Sequence, residues 1–122
     1  MSLILLAEDD EAMRSFIAMA LKKAGHRVIA CEDGVKAFDE LEADTAHEIT
    51  MLLADIVMPG MDGIELSQKA SKMRPDLKIM FITGFAAVAM GQRNPNAEHA
   101  RVLQKPFHLK DLVDQVNEML TA

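Results

Sequence analysis

Leu3-Ile4-Leu5-Leu6-Ala7 is an unbroken apolar run bounded by polar residues, the pattern of a strand covered on both faces, as in a parallel sheet between helices. From Met13 the period becomes helical. Met13, Phe16, Ile17, Ala20, Leu21 and Ala24 form an inward stripe, and Gly25 is placed to end that helix. Residues 27–31 read as a second strand, 34–41 as a second helix carrying Val35, Ala37, Phe38 and Leu41, and 49–54 as a third strand. A third helix over 63–74 is stopped by Pro75, and 78–82 is the fourth strand. A weak helix over 86–91 and a loop with Asn94-Pro95-Asn96 precede a short strand at 101–104. The last helix turns Leu109, Leu112, Val113, Val116, Met119 and Leu120 inward. Strands alternating with helices imply right-handed crossovers and an α/β, doubly wound parallel sheet of five strands with helices on both faces.

In such sheets function gathers outside the carboxyl ends of the strands. The residues at those ends are Glu8-Asp9-Asp10-Glu11, then Asp55, then Thr83-Gly84, then Lys105-Pro106. The acidic run alone has a structural explanation, because acids at a helix start complement its dipole and cap its N–H groups. Asp55 changes the balance by bringing a further carboxylate beside that run. Their repulsion needs relief, and Mg²⁺ characteristically takes one or two carboxylates, waters and phosphate oxygens. Lys105 can pair with a carboxylate at rest and with a phosphoryl oxygen afterwards. Thr83 offers a hydroxyl to the same oxygens, and Gly84 leaves space beside it. Asp55 is then the nucleophile that takes a phosphoryl group as an acyl phosphate.

Composition narrows the partners. The chain has 122 residues, enough for one domain spanning residues 1–122 and too few for two. A net charge of −6 with scattered Lys and Arg disfavours nucleic acid as a partner. Without a signal-like N-terminus or an apolar run long enough to cross a bilayer, the expectation is a cytoplasmic protein with no membrane partner. Cys31 is the single cysteine, so no internal disulfide forms, and its apolar neighbours make it a small buried hydrophobe. The ten Met residues read mainly as core. His26, His47, His99 and His108 lack ligand spacing and read as surface or capping residues.

Leu5-Leu6-Ala7-Glu8-Asp9-Asp10-Glu11, the run Asp55-Ile56-Val57-Met58-Pro59-Gly60-Met61-Asp62-Gly63, Ile82-Thr83-Gly84 and Lys105-Pro106-Phe107 together resemble the receiver domains of two-component response regulators, over the whole chain. The resemblance implies the flavodoxin- and CheY-like strand order 2-1-3-4-5 and phosphorylation on Asp55. It implies Mg²⁺ held by Glu8, Asp9, Asp55 and the main-chain carbonyl of Val57, a switch hydroxyl at Thr83, and Lys105 as the family's lysine. Counted back from Arg14, Asp10 falls just outside the acidic pair. A cis bond at Lys105-Pro106 is expected, X-Pro bonds being cis at modest cost. The opening segment, the Leu-Leu-Ala-Asp-Ile-Val-Met-Pro run and Thr-Gly-Phe-Ala-Ala are similar to the CpdR-type branch of single-domain cell-cycle regulators in alphaproteobacteria. That branch implies a phosphorelay from a hybrid histidine kinase through a histidine phosphotransferase, and a protease-adaptor role in which the unphosphorylated form contacts ClpX of ClpXP.

Two departures bear on the switch. Receivers place an aromatic three residues before the lysine, and here it is Val102, whose short, stiff side chain cannot swing as a ring does. The readout is therefore expected to run through Phe85. The apolar segment 85–90 can dock a partner or pack on the sheet. Val57 and Phe85, each two residues beyond Asp55 and Thr83, cannot orient a water, so a long-lived phosphoryl state is expected, with slow autodephosphorylation and no enzyme activity in the usual sense. The leading function is a phosphorylation-controlled protein contact, with no effector domain after the last helix. A phosphoryl shuttle between histidine proteins is the alternative, separable by transfer from Asp55 onto a second histidine protein. A Mg²⁺-dependent phosphohydrolase is remote, because Val57 stands where such enzymes need a titratable acid–base group. Flavin is disfavoured because the first turn offers carboxylates where a phosphate needs N–H groups.

Overall fold

A computed structural model describes residues 2–84 and 100–121. The elements are β1 (Leu3–Ala7), α1 (Glu11–Lys23), β2 (Arg27–Cys31), α2 (Gly34–Ala43), β3 (Ile49–Asp55), α3 (Gly63–Met73), β4 (Lys78–Thr83), β5 (Ala100–Gln104) and α4 (Leu109–Thr121). The helix expected over 86–91, the Asn94-Pro95-Asn96 loop, Phe85, segment 85–90 and His99 lie outside the described residues. The five strands are parallel and ordered β2-β1-β3-β4-β5, as expected.

Because successive strand residues face opposite sides, the near-continuous apolar strands supply two cores. Leu5, Leu52, Ala54, Ile79 and Phe81 meet α2 and α3 through Ala37, Leu41, Ile64, Leu66 and Ala70. Ile4, Leu6, Met51, Leu53, Met80 and Ile82 meet α1 and α4 through Ile17, Leu21, Leu112, Val116 and Met119. Each buried aliphatic or aromatic side chain stabilises the fold by about 1.5–3 kcal/mol, so these layers hold the strand ends rigidly. Met51, Met58, Met61, Met80 and Met119 are core residues, as the composition implied.

The helix stripes differ from the sequence reading at four residues, Ala24 among them, which is exposed at the end of α1. Phe16, Val35 and Leu109 are 55%, 48% and 37% exposed. In α1 the buried face is centred on Ile17, Ala18 and Leu21, which puts Phe16 on the far side of the helix at 100° per residue. Gly25 has φ 98°, the left-handed turn expected after a helix end. Among the described residues no helix is long and apolar enough to cross a membrane.

Candidate functional site

The chain makes the site from the ends of four strands, β1, β3, β4 and β5. Asp55 is the last residue of β3 and Thr83 the last of β4, both expected just past their strands, and both are buried. Glu8 follows β1 with no solvent exposure, and its N–H donates to the Cys31 carbonyl at 3.1 Å. Asp9 beside it is exposed. Glu8, Asp9 and Asp55 each present a carboxylate oxygen within 4.8 Å of the others, a grouping able to hold a metal ion. Asp10 is the N-cap of α1, its Oδ1 accepting the Met13 N–H at 3.0 Å. The acidic run thus divides between two jobs, with Asp10 capping the helix and the two residues before it facing the crevice.

Lys105 closes the cluster from the far side. Its Nζ donates to Asp55 Oδ2 at 3.2 Å and to Glu8 Oε1 at 3.3 Å. Burial works to lower the Lys105 pKa, but the charges of Asp55 and Glu8 outweigh it and the net shift is upward, so the ammonium stays charged. Glu8 is raised to about 7, chiefly by burial, with the Asp55 charge adding to the shift; the Asp10 N–H and Lys105 oppose it. A cation bound here relieves the same repulsion. The Lys105-Pro106 bond is cis, as expected.

The second half of the Asp55–Gly63 run is architectural. Met58 and Met61 are buried, Gly60 turns the chain at φ 76°, and Asp62 caps α3 by accepting the Glu65 N–H at 2.8 Å. Gly63 lies against the Asp55 backbone, where a Cβ would fall 2.2 Å from the Asp55 carbonyl oxygen. The Val57 side chain is 53% exposed and its N–H donates to Asp55 Oδ1 at 3.3 Å. Among the described residues a Cβ on Gly84 would meet nothing within 4 Å. Val102 sits opposite Phe81 in the β4–β5 ladder, half-buried against the α2–α3 core. Cys31 is buried, which pushes its thiol up to about 11, consistent with a packing role.

The response regulator receiver domain family matches residues 4–117. The chain belongs to the response regulator receiver family. It is 52% identical over 122 residues to the response regulator receiver protein CpdR of Brucella abortus (strain 2308), covering 100% of this chain and 99% of that protein. It is 37% identical over 117 residues to the sensor kinase CckA of the same organism, covering 96% of this chain but only 12% of the kinase. Among solved structures, a receiver protein from Sinorhizobium medicae WSM419 superposes with a TM-score of 0.89 at 29% identity, covering 99% of this chain and 95% of that one. The receiver domain of the hybrid histidine kinase CckA superposes at 0.82 and 31% identity, covering 98% and 99%. The receiver assignment and its closeness to CpdR agree with the sequence reading. As a receiver domain, the chain is a phosphoryl-accepting type of regulator.

Of the residues expected at the strand ends, the structure brings Glu8, Asp9, Asp55 and Lys105 together, and it places Thr83 at the end of β4. Sequence reasoning used Arg14 only as a spacing marker. In the structure the Arg14 guanidinium reaches back from α1 and donates to the Glu8 carbonyl at 2.9 Å. Its place one helical turn after Asp10, the N-cap of α1, was the available signal.

Proposed function

We propose that this receiver accepts a phosphoryl group on Asp55 from a histidine kinase or histidine phosphotransferase, with Mg²⁺ held by Glu8, Asp9, Asp55 and the Val57 carbonyl. One observation carries this: a buried carboxylate at a strand end with a lysine ammonium 3.2 Å away and two further acids within 4.8 Å. The three carboxylates and the neighbouring lysine fit a small hard cation plus phosphate oxygens. When bound, Mg²⁺ neutralises charge on the phosphoryl oxygens. The chain does the rest. An Asp55 oxygen forms a bond to phosphorus as the phosphorus–nitrogen bond of the donor phosphohistidine breaks, and the electron pair leaves with the imidazole, which takes up a proton. Lys105 shifts its donated hydrogen bonds from the carboxylates to the phosphoryl oxygens, and the Thr83 hydroxyl donates to another. Water attacking the acyl phosphate finds no polar side chain at Val57, and the phosphoryl state is accordingly long-lived.

In this reading residues 1–122 work as one receiver unit in the cytoplasm. As for a CpdR-like regulator, phosphorylation exchanges protein partners, ClpX among them, in regulated proteolysis and cell-cycle control. Phe85 and Val102 belong to the readout. The test is intact-mass detection of phosphate after incubation with acetyl phosphate and Mg²⁺. Wild type gains one phosphate and Asp55→Asn none. Modification of Asp55→Asn at the wild-type level would overturn the assignment.

A further inference from the structure

Asp9 is the exposed member of the carboxylate group, and among the described residues nothing donates to its carboxylate. Glu8 and Asp55 are held by Lys105, and Glu8 Oε2 also accepts the Asp10 N–H at 3.0 Å. The direction of Asp9 must therefore come from its backbone. The peptide unit entering Asp9 is the one whose carbonyl belongs to Glu8, and that carbonyl takes the Arg14 Nη1–H at 2.9 Å. Arg14 is itself anchored, its N–H donating to the Asp10 carbonyl at 2.8 Å in the first turn of α1. A guanidinium on a helix thus clamps the peptide plane ahead of Asp9, the one carboxylate of the group that accepts no hydrogen bond among the described residues.

We infer that Arg14 is a positioning residue for cation binding, acting through the Glu8–Asp9 peptide to aim the Asp9 carboxylate. The inference rests on the reading of this site as a Mg²⁺ site. Its sign separates it from simple electrostatics. Removing a positive charge beside a cation site should tighten cation binding by Coulomb's law, whereas releasing an aimed ligand weakens it, and partners that orient metal ligands typically contribute about 10–100-fold in affinity.

The chain contains neither Trp nor Tyr, so the measurement is Mg²⁺ titration of ¹⁵N-labelled protein by amide NMR, which also reports whether each variant is folded. Arg14→Ala is expected to weaken Mg²⁺ about tenfold. In an Asp9→Asn background the same change is expected to do less than twofold, the non-additivity of two residues acting as one unit. Tighter or unchanged binding in Arg14→Ala overturns the inference, as does an equal loss in both backgrounds, which would mean a general effect on the fold. If Arg14→Ala fails to fold, Arg14→Lys carries the same comparison, its shorter point-charge head losing the planar reach to the carbonyl. Wild type that binds no Mg²⁺ would overturn the metal reading itself and this inference with it.

Discussion

Asp44 and Arg74 form the most buried ion pair of the described residues away from the Glu8–Asp55–Lys105 cluster. Their side chains are 8% and 7% exposed, with Nη1 to Oδ2 at 3.1 Å. Asp44 also accepts the N–H groups of Glu48 and Ile49 at 2.9 Å each, and Arg74 Nη2 donates to the Ile49 carbonyl at 2.7 Å. This clamps the start of β3, at the opposite end from Asp55. Burial pushes the Asp44 carboxyl up, but the N–H groups of Ile49 and Glu48 and the Arg74 guanidinium outweigh it, and the net shift is downward. A folded-state pKa below the ordinary value stabilises the fold above that value, and the stabilisation is lost as pH falls through the folded pKa. Asp44→Asn is therefore expected to cost on the order of 3 kcal/mol in urea unfolding at neutral pH, since it leaves a buried guanidinium without its counter-charge. The gap to wild type should narrow as pH falls below the ordinary carboxylate range, where the unfolded wild-type chain binds a proton at Asp44 that the folded chain still resists. A gap that stays constant down to acid pH would show that the charge is not what matters. Nothing in the local sequence pairs residues 44 and 74, because the contact depends on two loops meeting across the sheet end.

At the scale of elements, the approach of α3 to β3 is the tightest joint in the site. Gly63 opens α3, its N–H donates to the Ile56 carbonyl at 2.8 Å, and a Cβ there would lie 2.2 Å from the Asp55 carbonyl oxygen. Gly63→Ala must push the helix start away from the strand, with an overpacking cost of about 1–3 kcal/mol. It should also slow acetyl phosphate-driven modification, because the residue displaced is Asp55. Gly25→Ala is the contrasting case. It sits at φ 98° with nothing among the described residues within 4 Å of its Cβ position, so it should cost roughly 1 kcal/mol in backbone strain and leave the phosphorylation rate unchanged. Equal rates for the two variants would show that the α3 joint does not position Asp55. The sequence reading found these elements because their hydrophobic periods differ and their ends carry Gly, Pro and Asp. It misplaced Phe16 and Val35 because an apolar residue on a helix fits more than one stripe until the sheet beneath selects the face.

For the whole molecule, the carboxylate cluster exists only in the folded chain, since Glu8 and Lys105 meet across 97 positions of sequence. Any cation binding the native cluster alone must raise stability, by about 2.7 kcal/mol at a hundredfold excess over its dissociation constant. Thermal unfolding followed by circular dichroism should show a rising midpoint with Mg²⁺ in wild type and a much smaller rise in Asp9→Asn. The same shift in both proteins would place the cation elsewhere.

The alternation of apolar runs with helical stripes determined the fold class, because each pattern can bury its face in only one kind of layer. The polar residues at the ends of those runs determined which groups share the crevice, since parallel strands put all their carboxyl ends on one side. Tertiary structure decided what those local patterns leave open. It separated Asp10 the cap from Glu8 and Asp9 at the site, turned Phe16 outward, paired Asp44 with Arg74, and laid the Arg14 guanidinium on the Glu8 carbonyl. Each of these depends on the direction of a side chain or peptide plane, which is set by whichever neighbour the folded chain brings within hydrogen-bond or packing distance.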